Sequence, residues 1–336
     1  MADNKNNNKL KIVILVVLAL LSVMPLFRCY VGNTGESLLW CLRLSRVLPV
    51  KLVEPVLILG IGILRLALVF ASFLFFSIVN EKEKKSILTG IVGVSLFVFS
   101  PYQLYIAYDK VDITDMLLWI AILLFSTAIM TAIKSIREKK NIIAFFMILL
   151  CICLIVVMAL TYLLSHISES TISFEGQGYV FGEMFTSFFY QENHPGYGVA
   201  LIGSIGIWLY YWIVEKTTKE EKEKTQNNRM QLVFFGLAIL FMCMASVNFP
   251  WDSLSREIGF VNKIITRLES PTIFFALSGF CITVPAIKGI SLISESDNEF
   301  ASKVVPIMVA LISISIGIFL MSEYMYWQSP LGFANM

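Results

Sequence analysis

Nine stretches of the chain are nearly free of charge and dense in Leu, Ile, Val and Phe, near residues 10–28, 54–80, 86–105, 113–133, 142–165, 197–214, 230–248, 271–289 and 304–324. Each comes close to or exceeds the roughly 20 apolar residues that a helix needs to cross a hydrocarbon core of about 30 Å. In lipid a backbone N–H or C=O must find its partner inside the protein, so each stretch is predicted to be helical. The expected fold is all-α, a polytopic transmembrane helix bundle of about nine spans, with residues 1–336 as a single membrane domain.

The polar segments between these stretches carry unequal charge. With the N-terminus inside, the inner segments hold 17 of the 26 Lys and Arg residues and the outer segments 8, while Arg65 lies within a span. Cytoplasmic loops retain Lys and Arg, so the bias predicts a cytoplasmic N-terminus and an outer C-terminus. The first apolar run follows a basic start and could be a cleaved signal peptide. It is long for one and ends in Met24-Pro25-Leu26-Phe27-Arg28 without a small-residue cleavage site, which favours an uncleaved first span.

Composition agrees with a lipid environment. Of 336 residues 57% are hydrophobic and 15% charged, and the mean hydropathy is +0.77, against about 45–50% apolar and 25% charged in soluble domains. A net charge of +2 argues against nucleic acid as a partner. Cys29, Cys41, Cys151, Cys153, Cys243 and Cys281 form no CxxC pair, and His166 and His194 are the two histidines, too few ligands for zinc or haem. A Cys29–Cys41 disulfide is sterically conceivable in the first outer loop, although cysteines in such chains more often serve as small apolar fillers.

Inner loops such as 81–85 and 215–224 read as solvated tethers. The outer loops, 29–53, 166–196 and 249–270, are longer and richer in aromatic residues, which is where a site is expected. Neither a repeat nor a Gly-rich phosphate loop occurs, which argues against a primary pump. Gly60 and Gly62 have no counterpart in the other half, so an inverted-repeat transporter is weakly supported.

Four groups of residues could carry chemistry. In the first outer loop Leu38, Leu39, Leu42 and Val47 recur at helical spacing, predicting a short surface helix with Glu36, Trp40 and Arg43 on one face. A carboxylate beside an arginine could deprotonate an acceptor hydroxyl and steady a departing phosphate; equally, the two could be a plain surface pair. Tyr102, Tyr105 and Tyr108 fit an interfacial aromatic belt, while Asp112 and Asp115 either cap the fourth span or face a polar partner. Arg65 stands about 16 Å into the second span at roughly 1.5 Å per residue, so it should face the bundle interior and find a carboxylate or a lipid phosphate. Phe249-Pro250-Trp251-Asp252 reads by itself as an interfacial anchor.

Together these stretches resemble the bacterial YfhO-like membrane proteins of the GT-C glycosyltransferase superfamily, over about residues 9–285. The likeness rests on Glu36 seven positions before Arg43, on Ser100-Pro101-Tyr102 followed by Lys110 and Asp115, and on Phe249-Pro250-Trp251-Asp252. The chain departs from that pattern where members mostly have Asp for Glu36, His for Trp40, and Arg and Glu for Lys110 and Asp115. It also lacks the arginine of a second motif, keeping only the proline in Leu268-Glu269-Ser270-Pro271, and ends without the further spans and outer domain of longer members.

The resemblance implies a transferase of the bacterial plasma membrane. It would move a sugar from a polyprenyl-phosphate donor to an extracellular glycan or teichoic acid. Glu36 would be the catalytic carboxylate. Arg43, Lys110 and Arg65 would lie near the donor phosphate, with Tyr102, Asp115, Trp251 and Asp252 completing the substrate-binding set. Membrane lipid and the lipid-linked sugar are the implied partners, and a divalent metal is neither required nor excluded by the scattered outer acids. The competing readings are a non-catalytic lipid-carrier-binding or assembly protein of the same fold, and a small-solute or lipid transporter.

Overall fold

The computed structural model describes residues 2–27, 43–79, 86–109, 112–165, 178–186, 195–217, 229–259, 271–296 and 298–327. Glu36, Trp40, Lys110, Cys29, Cys41, both histidines and most of the expected surface helix lie outside them. Among the described residues there is no strand; a parallel bridge between Tyr179 and Ser246 is the one β-type pairing. The all-helical architecture expected from the apolar runs is therefore observed.

The helices are α1 (Ala2–Val23), closing in a 3₁₀ turn at Met24–Phe27, α2 (Val50–Val79), α3 (Ser86–Val98), α4 (Pro101–Leu104) continued by a π-helical turn (Tyr105–Asp109), α5 (Ile113–Arg137) and α6 (Asn141–Ser165). There follow α7 (Glu183–Thr186), α8 (Val199–Thr217), α9 (Arg229–Ala245), α10 (Trp251–Glu257), α11 (Thr272–Ser294) and α12 (Glu299–Trp327). Each of the nine predicted stretches coincides with one of these helices or with the α3–α4 pair.

Length separates them into classes. Four stretches are long and apolar enough to cross a membrane, Lys51–Val79, Ile113–Ile136, Ile273–Ser294 and Phe300–Ser322, and a fifth if the bent pair Leu88–Val98 and Pro101–Tyr108 is one span. The described apolar parts of the other four, Ile12–Val23, Ile142–Val156, Val199–Val214 and Met230–Ala245, are shorter. At about 1.5 Å per residue they cover less than the full hydrocarbon thickness. Of the nine expected crossings, length and composition support four or five among the described residues. The third stretch differs further from expectation: it is not one rod but two pieces bent by 59°.

The chain groups into two compact units, residues 1–162 with 310–336, and residues 163–309. In the first, α2 is the central element and packs on α1, α3 and α5. Its inward side places Leu57, Ile61, Leu68, Phe75 and Phe76 in the core, where edge-on ring contacts run from Phe76 to Phe97 and on to Trp119. Its outward side is just as apolar, with Leu59 63% and Ile63 56% exposed. A helix apolar on both faces has lipid, not water, as its solvent. On α6 the same holds nearly all round: Phe145 and Phe146 are exposed, while Ala144 and Cys151 are buried.

In the second unit α11 is central and packs on α8 and α9. Residues 281–290 are buried without interruption, the signature of a helix enclosed on all sides. Gly289 permits this contact: a Cβ there would lie 2.7 Å from the Trp208 backbone nitrogen and 2.9 Å from its Cα.

Candidate functional site

The polar groups of the first unit gather where the third apolar stretch breaks. Proline lacks an N–H and disfavours helical backbone in the residue before it, and Ser100 accordingly takes φ −63° and ψ 147°, ending one helix and starting the next. Its hydroxyl donates to the Phe97 carbonyl at 2.8 Å and accepts from the Gln103 N–H at 3.4 Å. Pro101 occupies the first helical position, where its missing N–H costs nothing.

A break inside a span leaves carbonyls without helical partners, and in lipid they need substitutes. Arg65 supplies two. Fully buried on α2, it donates from Nη2 to the Val98 carbonyl at 3.0 Å and from Nη1 to the Gln103 carbonyl at 3.3 Å. One planar guanidinium thus holds a carbonyl on each side of the bend, and its charge sits at the negative end of the α3 dipole. The Tyr108 ring faces it, 5.5 Å from Cζ to the ring centroid, within cation–π range. Ser313 of α12 donates to the Ser95 carbonyl at 2.7 Å. Arg65 Nε and Gln103 Oε1 are buried without a partner among the described residues.

Beyond the break the chain turns into α5. The Tyr108 hydroxyl donates to the Ser22 carbonyl at the end of α1. The Asp112 N–H donates to the Ile106 carbonyl at 2.9 Å. Asp112 is buried and caps α5, its Oδ1 accepting from the Asp115 N–H at 2.9 Å. Of the two readings of these acids, capping therefore describes Asp112, and Asp115 stands in the first turn, where a negative charge favours the helix dipole.

The structure brings Arg65, Tyr102, Tyr108, Asp112 and Asp115 to one stretch of the first unit, around the bend and the turn that follows it. Arg43 is described and exposed on the segment before α2. As expected, Arg65 faces the interior; among the described residues its partners are two backbone carbonyls and a ring. The sequence reading missed Val98, Ser313 and Ser22. The break itself had a signal in Pro101, placed inside an apolar run.

Trp251 and Asp252 belong to the second unit. Trp251 is buried, its Nε1 donating to the Met244 carbonyl at 2.8 Å, with its ring stacked on Phe274 at 5.0 Å and tilted against Phe249 at 4.6 Å. Asp252 stands half-buried in the first turn of α10, and its carbonyl accepts from the Ser255 hydroxyl. The stretch thus closes the end of α9 by packing the Trp251 ring inside the second unit. Beside it the segment before α7 is pinned to the end of α9: the Tyr179 N–H donates to the Ala245 carbonyl and the Tyr179 carbonyl accepts from the Val247 N–H, both at 3.0 Å. Gly178 makes this approach possible at φ +135°, a conformation open to glycine, and a Cβ there would meet the Ala245 carbonyl oxygen at 2.9 Å.

Among the described residues no three or more His, Cys, Asp and Glu side chains gather as a metal would need. No protein-family model, curated protein or solved structure matches the chain.

Proposed function

We propose that this chain is a divergent membrane glycosyltransferase of the GT-C type, acting at the outer face of a bacterial plasma membrane on a polyprenyl-phosphate sugar. The supporting observation is the broken third span. A break inside an apolar helix frees backbone polar groups that lipid cannot satisfy, and so gathers polar side chains at a depth where a lipid-linked headgroup can meet them. Here the bend is followed directly by Tyr108, Asp112 and Asp115, with Lys110 between them in the chain.

In this reading Glu36 takes the proton of the acceptor hydroxyl as its oxygen bonds to the anomeric carbon of the donor sugar. The bond from that carbon to the phosphate oxygen breaks, and its electron pair leaves with the polyprenyl phosphate. Arg43 and Lys110 steady the charge that develops on the phosphate. Arg65 stands behind this chemistry, since both its terminal nitrogens serve carbonyls. The full nine crossings, with N-terminus inside and C-terminus outside, belong to the same proposal.

A second reading is a non-catalytic relative that binds the lipid carrier, favoured by the engagement of Arg65 with backbone and by the missing arginine after Leu268. Purified full-length chain in lipid nanodiscs, given radiolabelled polyprenyl-phosphate sugar and a teichoic acid or glycan acceptor, separates the readings. Covalent transfer that Glu36→Gln lowers by about a hundredfold or more supports the enzyme, in line with the usual contribution of a general base. Binding without transfer supports the second reading, and passage of intact donor across a sealed bilayer indicates a transporter. Transfer that survives Glu36→Gln unchanged removes Glu36 from the mechanism.

A further inference from the structure

We propose that Arg65 is a positioning residue that sets the bend of the third span and thereby aims the Tyr105–Asp109 turn and the start of α5. The argument begins with the backbone. Across the bend, Val98 is the last residue of α3 and Gln103 lies in α4, and the bend between the two pieces is 59°. The two carbonyls are gripped by Nη2 and Nη1 of the same guanidinium, at 3.0 and 3.3 Å. The nitrogens of that group keep a fixed separation and a common plane, so gripping both carbonyls restricts the angle at which the two pieces meet.

The remaining contacts extend the same grip. Arg65 faces the Tyr108 ring, and Tyr108 in turn holds the end of α1 through the Ser22 carbonyl. The Asp112 N–H reaches back to Ile106, so the cap of α5 follows the turn. A chain of contacts thus runs from Arg65 to Asp112 and Asp115. Ser313 holds α3 from another side through Ser95. Lysine offers a single nitrogen without the planar fork, and glutamine lacks the charge and the second donor centre.

The proposal deepens the functional reading, but its main test does not depend on turnover. Backbone hydrogen exchange is measured on the full chain in nanodiscs for the native protein, Arg65→Lys, Arg65→Gln and Ser313→Ala. Losing a charge-assisted bond should raise exchange of the amides in residues 97–109 about tenfold or more in both Arg65 variants. The Ser313 variant, which removes a neutral bond, should raise it about fivefold in the same amides. In every variant α11 should stay unchanged. In parallel, binding of radiolabelled polyprenyl-phosphate sugar should keep its affinity in Arg65→Lys, while kcat of any transfer falls about tenfold as reacting groups lose alignment.

Unchanged exchange in the Arg65 variants would overturn the proposal, as would an equal rise across α2, α5 and α11. A tenfold loss of donor affinity with unchanged exchange would instead make Arg65 a phosphate ligand. If the native chain transfers no sugar, the functional reading fails, and the exchange pattern still decides the role of Arg65.

Discussion

At the residue scale, two glycines and one acid have consequences that differ in kind. Gly289 lies against the backbone of Trp208, which cannot rotate away as a side chain can. Gly289→Ala should therefore part α11 from α8 and lower unfolding free energy in detergent by about 1–3 kcal/mol, the usual cost of overpacking. Gly178→Ala adds a left-handed strain to its clash, so chymotryptic cleavage at Tyr179 and Phe181 should speed up, while residues of the first unit stay protected. Glu138 is of another kind, exposed on the loop between α5 and α6. The hydrogen bond and charge of Lys140, with Lys134 further off, hold its carboxyl below the ordinary carboxylate range. The stabilisation is thus present above the ordinary range and lost as pH falls through the lowered value. Carboxyl-carbon NMR of Glu138 should show that low titration, and Lys140→Gln should return it upward.

At the scale of elements, helix ends decide more than helix interiors. Ser100 caps α4 at the bend, and Ser100→Ala should cost about 1 kcal/mol, seen as a lower thermal midpoint in detergent. The end of α5 is made differently. Lys139 takes φ +58°, and the N–H of Lys140 bonds back to the Ser135 carbonyl at 2.8 Å, the closure that glycine ordinarily provides. Lys139→Gly should raise stability by roughly 0.5–1 kcal/mol, because it relieves left-handed strain that a Cβ imposes. No periodicity could announce that turn, since lysine is not the residue expected there.

For the molecule as a whole, the lean of Lys and Arg toward alternate loops and the odd number of apolar runs make one joint prediction. Alkaline phosphatase fused after residue 196 or residue 270 should be active, and fused after residue 85 or residue 224 inactive. Activity at residue 85 would reverse the orientation and with it the outer placement of Arg43 and Asp115. The shorter described stretches in α1, α6, α8 and α9 make the fusion after residue 224 the most informative, because it lies between two of them.

Lipid leaves a backbone few choices, and for that reason the apolar runs alone determined the helical class, the approximate extent of each helix and the inward direction of Arg65. The tertiary structure alone decided how far the third run bends, which carbonyls Arg65 serves, that Asp112 rather than Asp115 is the cap, and how the chain divides into two units. The reason is physical: a buried cation can be satisfied by any carbonyl that comes near, and every residue has one. Val98 and Gln103 are 33 and 38 positions from Arg65, and Ser313 is 218 from Ser95, so the choice among those acceptors is made only when the helices pack.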